Sequence, residues 1–249
     1  MAREKFLNTY IDNVSFNEAI KIIDGFTKNG KYHYVVTPNV DHIIRIEKDK
    51  EFKMIYNEAD LILTDGMPLI WISKLLKQPI REKISGSDLF PKVCEMAAEK
   101  GYSIFLLGAD EGVAEKAASN LKNKYKGLII SGYYSPKYGF EKDEREVKKI
   151  IDIVSNSKTD ILCVGLGTPK QEKFIYKYKE KLKVPVSLAI GASIDFEAEK
   201  VKRAPKWMQK CGFEWFYRFC KEPKRLFKRY FVDDIKIIKI LYKYAAKLK

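Results

Sequence analysis

Apolar and polar positions divide the chain into short strands alternating with amphipathic helices. Ser15 and Glu18 form a capping-box pattern ahead of apolar residues at helical spacing, which predicts a helix through about Lys28. Gly30 stops it, and Tyr32-His33-Tyr34-Val35-Val36 reads as a strand. A helical stretch from about Val40 to Asn57 follows, then the apolar run Leu61-Ile62-Leu63, then a helix with Pro68 in its first turn. Ser87 is the N-cap candidate of a third unit. Further strands are expected at Ser103–Leu107, Leu128–Ser131, Ile161–Val164 and Val186–Ile190. Helices near Glu111–Lys124, Asp143–Asn156 and Pro169–Leu182 separate them.

Continuously apolar strands joined by helices imply an α/β fold, a Rossmann-like, mostly parallel sheet flanked by helices on both faces. Ligands of such sheets bind beyond the carboxyl ends of the strands. The segments there are Thr37-Pro38-Asn39-Val40-Asp41, Thr64-Asp65-Gly66-Met67-Pro68, Gly108-Ala109-Asp110, Gly165-Leu166-Gly167-Thr168-Pro169-Lys170-Gln171-Glu172 and Gly191-Ala192-Ser193-Ile194-Asp195. The pair Gly165 and Gly167 matches part of a dinucleotide fingerprint but lacks its third glycine, so NAD-dependent oxidation is a rival reading. The same turn serves either as a tight strand-to-helix connection or as a cradle for a phosphate or sugar oxygen, with Gln171 aimed at the ligand. Asp65 stands at the mouth of the inferred cleft as a general base or as a helix N-cap, and Asp41 has the same two readings. His33 and His42 have no Ser or Cys partner in view and read as structural. Neither a GxSxG elbow nor a P-loop is present.

Composition narrows the class. At 249 residues and 46% apolar, the chain is long enough to bury a sizeable core. No apolar run approaches the roughly 20 residues of a membrane span, and Met1-Ala2-Arg3-Glu4-Lys5-Phe6 lacks the apolar stretch of a signal peptide, so a cytosolic chain is expected. Cys94, Cys163, Cys211 and Cys220 show neither CxxC pairing nor metal spacing and read as reduced thiols. The net charge of +14 is concentrated at one end, where residues 200–249 carry 16 Lys/Arg against 4 Asp/Glu. That segment is also rich in Trp, Phe and Tyr, too aromatic for a disordered basic tail. Ile235, Ile238, Leu241, Tyr242, Ala245 and Leu248 recur at helical spacing beside Lys236, Lys239, Lys243 and Lys247. This basic helical appendage suits an anionic membrane surface, a packed helical subdomain or a nucleic acid, although no nucleic-acid motif is recognised. Asp-x-Asp, a metal-diphosphate motif of many sugar-nucleotide transferases, is absent, which leaves Arg and Lys to neutralise a leaving diphosphate.

Asp65-Gly66-Met67-Pro68, Ser85-Gly86-Ser87-Asp88-Leu89, Gly165-Leu166-Gly167-Thr168-Pro169-Lys170-Gln171-Glu172 and Lys202-Arg203-Ala204-Pro205-Lys206-Trp207-Met208 occur in order, and with them nearly the whole chain resembles the WecG/TagA/CpsF glycosyltransferase family. The resemblance implies an inverting, metal-independent transferase without cofactor. It would move N-acetylmannosamine or a related aminosugar from a UDP-sugar donor to a polyprenyl-diphosphate-linked sugar acceptor, undecaprenyl-diphosphate-N-acetylglucosamine, in wall teichoic acid linkage-unit synthesis or another cell-surface polysaccharide pathway. It implies Asp65 as the base, Thr37, Asn39 and Gln171 as sugar-orienting groups, and Gly108, Gly165, Gly167 and Gly191 as close-approach points for the nucleotide. Lys83 stands where family members commonly carry arginine, keeping the charge but not the bidentate fork, and Arg81 is placed to compensate. A Rossmann-like catalytic core would span 1–195. A membrane-docking appendage, 196–249, would bring Arg203, Arg218 and Arg225 to diphosphate at the inner membrane face, making the protein peripheral and cytoplasmic, with no nucleic acid as partner. Glu197 and Glu199 replace an apolar residue and a glycine of relatives, a change that weakens an apolar self-association surface, and homo-oligomerisation is left open.

Overall fold

A computed structural model of the protein describes residues 3–246, without the side chains of Lys210 and Arg225. Its first element is an antiparallel hairpin, β1 (Arg3–Phe6) and β2 (Thr9–Asp12), which the hydropathy pattern does not announce because each strand is only four residues long. There follow α1 (Phe16–Lys28), β3 (His33–Val36), α2 (Val40–Lys48), α3 (Lys50–Asn57), β4 (Leu61–Ile62), α4 (Met67–Leu75), α5 (Gly86–Lys100) and β5 (Ser103–Gly108). Then come α6 (Val113–Lys124), β6 (Ile129–Tyr134), α7 (Glu144–Asn156), β7 (Ile161–Gly165), α8 (Lys170–Leu182), β8 (Val186–Ala189) and α9 (Ser193–Glu197).

The six strands β3 to β8 form one parallel sheet in the order β4-β3-β8-β7-β5-β6. Successive side chains point to opposite faces, and both faces are covered. Val35, Ile104, Leu106, Cys163 and Leu188 pack under α1, α5 and α6, whereas Tyr34, Val36, Phe105, Leu107 and Val164 pack under α2, α3, α7 and α8. The hairpin guards the β4 edge. Arg3 grips Asp12 through Nε and Nη2, at 2.9 and 2.8 Å, and the other function of Asp12 Oδ2 is to accept from Ile62 N–H at 2.8 Å.

Three predicted boundaries change. The helix expected over 40–57 breaks at Asp49, whose extended backbone ends α2 while its carboxylate accepts from Phe52 N–H to start α3. The cap of α5 is Ser85, not Ser87, because the Ser85 hydroxyl accepts from Asp88 N–H at 3.2 Å. The strand expected at Leu128–Ser131 runs instead over Ile129–Tyr134, with Gly132 lying against the Phe105 ring.

Beyond the sheet lie α10 (Lys206–Lys210), α11 (Glu214–Lys221), α12 (Pro223–Lys228), a π-helical turn (Arg229–Asp233), a 3-10 turn (Asp234–Lys236) and α13 (Ile237–Ala245). The α9 helix crosses position 195, and its Ile194 and the following Ala198 are both buried in the α1/α5/α6 core. The predicted apolar stripe of α13 is offset from the face that packs. Ile235, Ile238 and Tyr242 are 52%, 62% and 80% exposed, whereas Ile240 is buried and Ile237, Leu241 and Tyr244 pack beside it on the α2/α3 core. The helix is therefore apolar on two sides, one of them seated. Leu248 and Lys247 lie outside the described residues.

Candidate active site

Asp65 follows β4 and is half-buried on the wall of a cavity of about 130 Å³ at the carboxyl edge of the sheet. Its backbone N–H is tied to the Pro38 carbonyl at 2.9 Å. Gly66, with φ +94°, turns the chain into α4 and is its N-cap, and no side chain caps that helix. The N-cap reading of Asp65 is therefore corrected: its carboxylate makes no hydrogen bond to a described residue and faces the cavity. Burial raises its pKa, the Lys83 and Arg218 cations pull it back down, and Glu214 adds to the rise. A carboxylate with raised proton affinity, held among cations, is chemically suited to take a proton.

Asn39 lines the same cavity as the N-cap of α2. Its Oδ1 is occupied by His42, whose Nδ1 lies 2.7 Å away, which leaves the Asn39 amide N–H groups for a ligand. Thr37 is buried one residue beyond β3 and lines neither this cavity nor its neighbour. Lys83 is on the wall, but its ammonium pairs with Asp88 at 2.7 Å and lies 3.9 Å from Glu214. Arg203 joins the same cluster, pairing with Asp88 and, at 3.2 Å, with Glu214, and donating to the Ser87 carbonyl at 3.0 Å. Burial alone would raise the pKa of Asp88; the Lys83 and Arg203 cations outweigh it and bring it to about 2. Arg203 is thus a latch between the appendage and α5, not a cavity group. Arg81 pairs with Glu18 at 2.8 Å, also away from the cavity.

A second cavity, about 460 Å³, lies beyond the ends of β5, β7 and β8. Gly165, Gly167 and Gly191 line it; Gly108 does not. The last two strand ends touch so closely that a Cβ on Gly165 would stand 2.7 Å from the Gly191 carbonyl and 2.9 Å from Ile194 Cδ1, and a Cβ on Gly108 would overlap the Gly165 carbonyl. Gln171 is buried between the loops rather than aimed at a ligand: its Oε1 accepts from Gly191 N–H at 3.1 Å and its Nε2 donates to Glu172 at 2.9 Å. Glu172 accepts from Thr168 Oγ1 at 2.6 Å, and Thr168 Oγ1 is 2.7 Å from His42 Nε2. A continuous, partly buried relay of hydrogen bonds therefore runs from Asn39 at one cavity to Gly191 at the other. His42 stands at the centre of that relay, and His33 is held by Asp60 and Asn29.

Arg218, Arg229 and Tyr230 line both cavities and form the wall they share. Arg218 lies 4.8 Å above the Phe196 ring and has no carboxylate within ion-pair distance among the described residues. The Arg225 side chain lies outside the described residues. Arg229, Asp234, Glu214 and Tyr230 are cavity residues that the motifs do not mark. The signal that could have found them is the acids themselves. Of the four in the basic segment, Glu214 and Asp234 line the first cavity and Glu222 lines the second. Glu197, one of the two acidic departures, is paired with Lys124 at 3.1 Å. Among the described residues no three His, Cys, Asp or Glu side chains converge as a metal site, and no helix is long and apolar enough to cross a membrane.

Comparison with known proteins matches residues 4–249 to the glycosyl transferase WecG/TagA/CpsF family. The chain is 32% identical over 200 residues to the N-acetylglucosaminyldiphosphoundecaprenol N-acetyl-beta-D-mannosaminyltransferase of Bacillus spizizenii, covering 80% of this chain and 76% of the relative. It is 32% identical over 191 residues to the protein of that name from Bacillus subtilis, covering 77% and 72%. To the protein of that name from Staphylococcus aureus it is 29% identical over 227 residues, covering 90% and 87%.

Proposed function

The chain belongs to the WecG/TagA/CpsF glycosyltransferase family, and on that premise we propose that it transfers N-acetylmannosamine from a UDP donor to undecaprenyl-diphosphate-linked N-acetylglucosamine, the first committed step toward a wall teichoic acid linkage unit. The observation that carries this reading is the uncapped Asp65 carboxylate, facing a cavity whose far wall is the cationic partition to a larger, glycine-lined one. The acceptor sugar occupies the Asp65 cavity and the nucleotide the larger one. An acceptor hydroxyl gives its proton to Asp65 while its oxygen attacks the anomeric carbon. The bond from that carbon to the β-phosphate oxygen breaks on the opposite face, the centre inverts, and UDP departs with the electron pair. Arg218 and Arg229 on the shared wall meet the charge that develops there, so no metal is required. Asn39 orients a sugar through its free amide N–H groups.

The reaction places the protein on the inner face of the cell membrane as a peripheral enzyme. Phe227, Phe231, Ile235, Ile238 and Tyr242 form an exposed apolar row next to the exposed Lys224, Lys228, Lys239 and Lys243, a combination suited to an anionic bilayer surface.

The test is transfer from UDP-N-acetylmannosamine to a short-chain prenyl-diphosphate-linked N-acetylglucosamine in the presence of EDTA. Turnover persists with chelator for the wild-type chain. Asp65→Asn keeps thermal stabilisation by UDP but loses about 10²- to 10⁴-fold in turnover, the usual contribution of a positioned base. Near wild-type turnover by that variant removes the base assignment, and no transfer by the wild-type chain overturns the reading as a whole.

A further inference from the structure

Asp234 lies in the appendage, outside the motifs that carry the family resemblance, and lines the Asp65 cavity but not the glycine-lined one. Its Oδ1 is buried and makes no hydrogen bond, although Arg229 is the strongest cation acting on it. Arg229 Nε is buried and unbonded as well, while Arg229 Nη2 reaches within 3.5 Å of Asn39 Oδ1. Buried polar atoms in folded proteins are nearly always hydrogen-bonded, so an unpaired carboxylate oxygen and an unpaired guanidinium N–H on two residues that line one cavity are unusual and point to a polar ligand. An acceptor and a donor on the wall of one cavity are the complement of hydroxyl and ether oxygens on a sugar ring.

We propose that Asp234 accepts a hydrogen bond from a hydroxyl of the acceptor's terminal sugar, with Arg229 Nε donating to an adjacent oxygen, and that this pair selects the acceptor sugar. This rests on the reading of Asp65 as the base, because the attacked hydroxyl must lie in the cavity that Asp65 faces. The assignment to acceptor rather than donor follows from the walls: Arg218, Arg229 and Tyr230 border both cavities, whereas Asp234 borders only the one containing Asp65. Burial pushes the Asp234 pKa up to about 6, so the group is still ionised at neutral pH and accepts without a competing proton. A charged hydrogen bond made in a buried site discriminates strongly, because an analogue lacking the hydroxyl leaves the carboxylate unpaired.

The full-length chain is assayed with the short-chain prenyl-diphosphate-linked sugar and with each singly deoxygenated form of its terminal sugar that keeps the attacked hydroxyl. For the wild type, one deoxy acceptor loses about ten- to a hundred-fold in kcat/KM. Asp234→Ala raises the KM for the intact acceptor by a similar factor, leaves UDP affinity within about two-fold, and shows no further loss with that deoxy acceptor. Asp234→Asn, which has the same shape and retains an acceptor oxygen, falls between the two and guards against misfolding of the alanine variant. Equal loss on deoxygenation in wild type and variants, an unchanged acceptor KM, or a KM increase confined to the donor overturns the proposal. Where the wild type transfers normally, such a result leaves the enzyme assignment intact; absence of wild-type transfer overturns both.

Discussion

Replacing Asp88 with Asn tests whether the appendage is latched to the core by charge. Asp88 holds Lys83 at 2.7 Å and Arg203 from across the latch, with its side chain 27% exposed. Those cations bring its pKa from 3.8 to about 2 against the opposing effect of burial. A depression of that size corresponds to about 2 kcal/mol of folding stability. At this chain length that is a fall in Tm of about 4–8 °C at pH 7. Because the folded-state pKa is the lower one, the contribution is complete above the unfolded pKa of about 3.9 and is lost as pH falls toward about 2. Thermal unfolding of the wild type and Asp88→Asn, followed from pH 8 to pH 3, should therefore give a constant gap down to about pH 5 that narrows below pH 4. Identical midpoints at pH 7, or a gap that does not narrow in acid, would refute the charge latch and leave Asp88 as a helix-cap neighbour only.

Two further outcomes follow from the same geometry. Gly165→Ala brings a methyl group to 2.7 Å from the Gly191 carbonyl and 2.9 Å from Ile194, so it should destabilise by about 1–3 kcal/mol and raise the KM for the UDP-sugar more than that for the acceptor; a fully stable variant with unchanged donor KM counts against the close approach of β7 and β8. The double substitution Ile235→Ser and Ile238→Ser alters only exposed side chains, so it should leave Tm within about 2 °C yet weaken flotation with anionic vesicles several-fold, and undiminished flotation would dissociate that row from membrane docking.

The sheet was legible because buried parallel strands announce themselves: Ile104 to Leu107 and Ile161 to Val164 are unbroken apolar runs, each continued into a helix. Asp65 was legible for a related reason, since topology alone puts the residue after such a strand at the ligand edge. What a linear reading misses is which polar group already has a partner. Gln171 and Arg203 look, by residue type, like ligand groups; in the fold, Gln171 holds Gly191 and Glu172, and Arg203 holds Asp88 and Glu214. Two of those partners, Gly191 and Asp88, are 20 and 115 positions distant and leave no trace in local spacing. The short hairpin and the seated side of α13 were illegible on other grounds: four-residue strands give no usable period, and a helix apolar on two sides does not say which side the core will take.

The appendage does more than cover the cleft, because it sets the electrostatics of Asp65, the candidate base. Of the charges acting on Asp65, Lys83 belongs to the core, whereas Arg218 and Glu214 arrive with α11 and act in opposite directions. Glu214 is itself tied to Arg203 and lies near Lys83, so the residues that latch the appendage share a cluster with the cation that acts most strongly on Asp65. Withdrawing the segment would remove Arg218 and Glu214 together, admit water to Asp65 and lower the proton affinity that burial confers. It would also remove one wall of each cavity, since Arg218, Arg229 and Tyr230 all lie on it. In this geometry, seating the appendage and setting the charge environment of the candidate base are the same event. A chain whose appendage responds to a bilayer surface would thereby confine proton abstraction to the place where a lipid-linked acceptor is found.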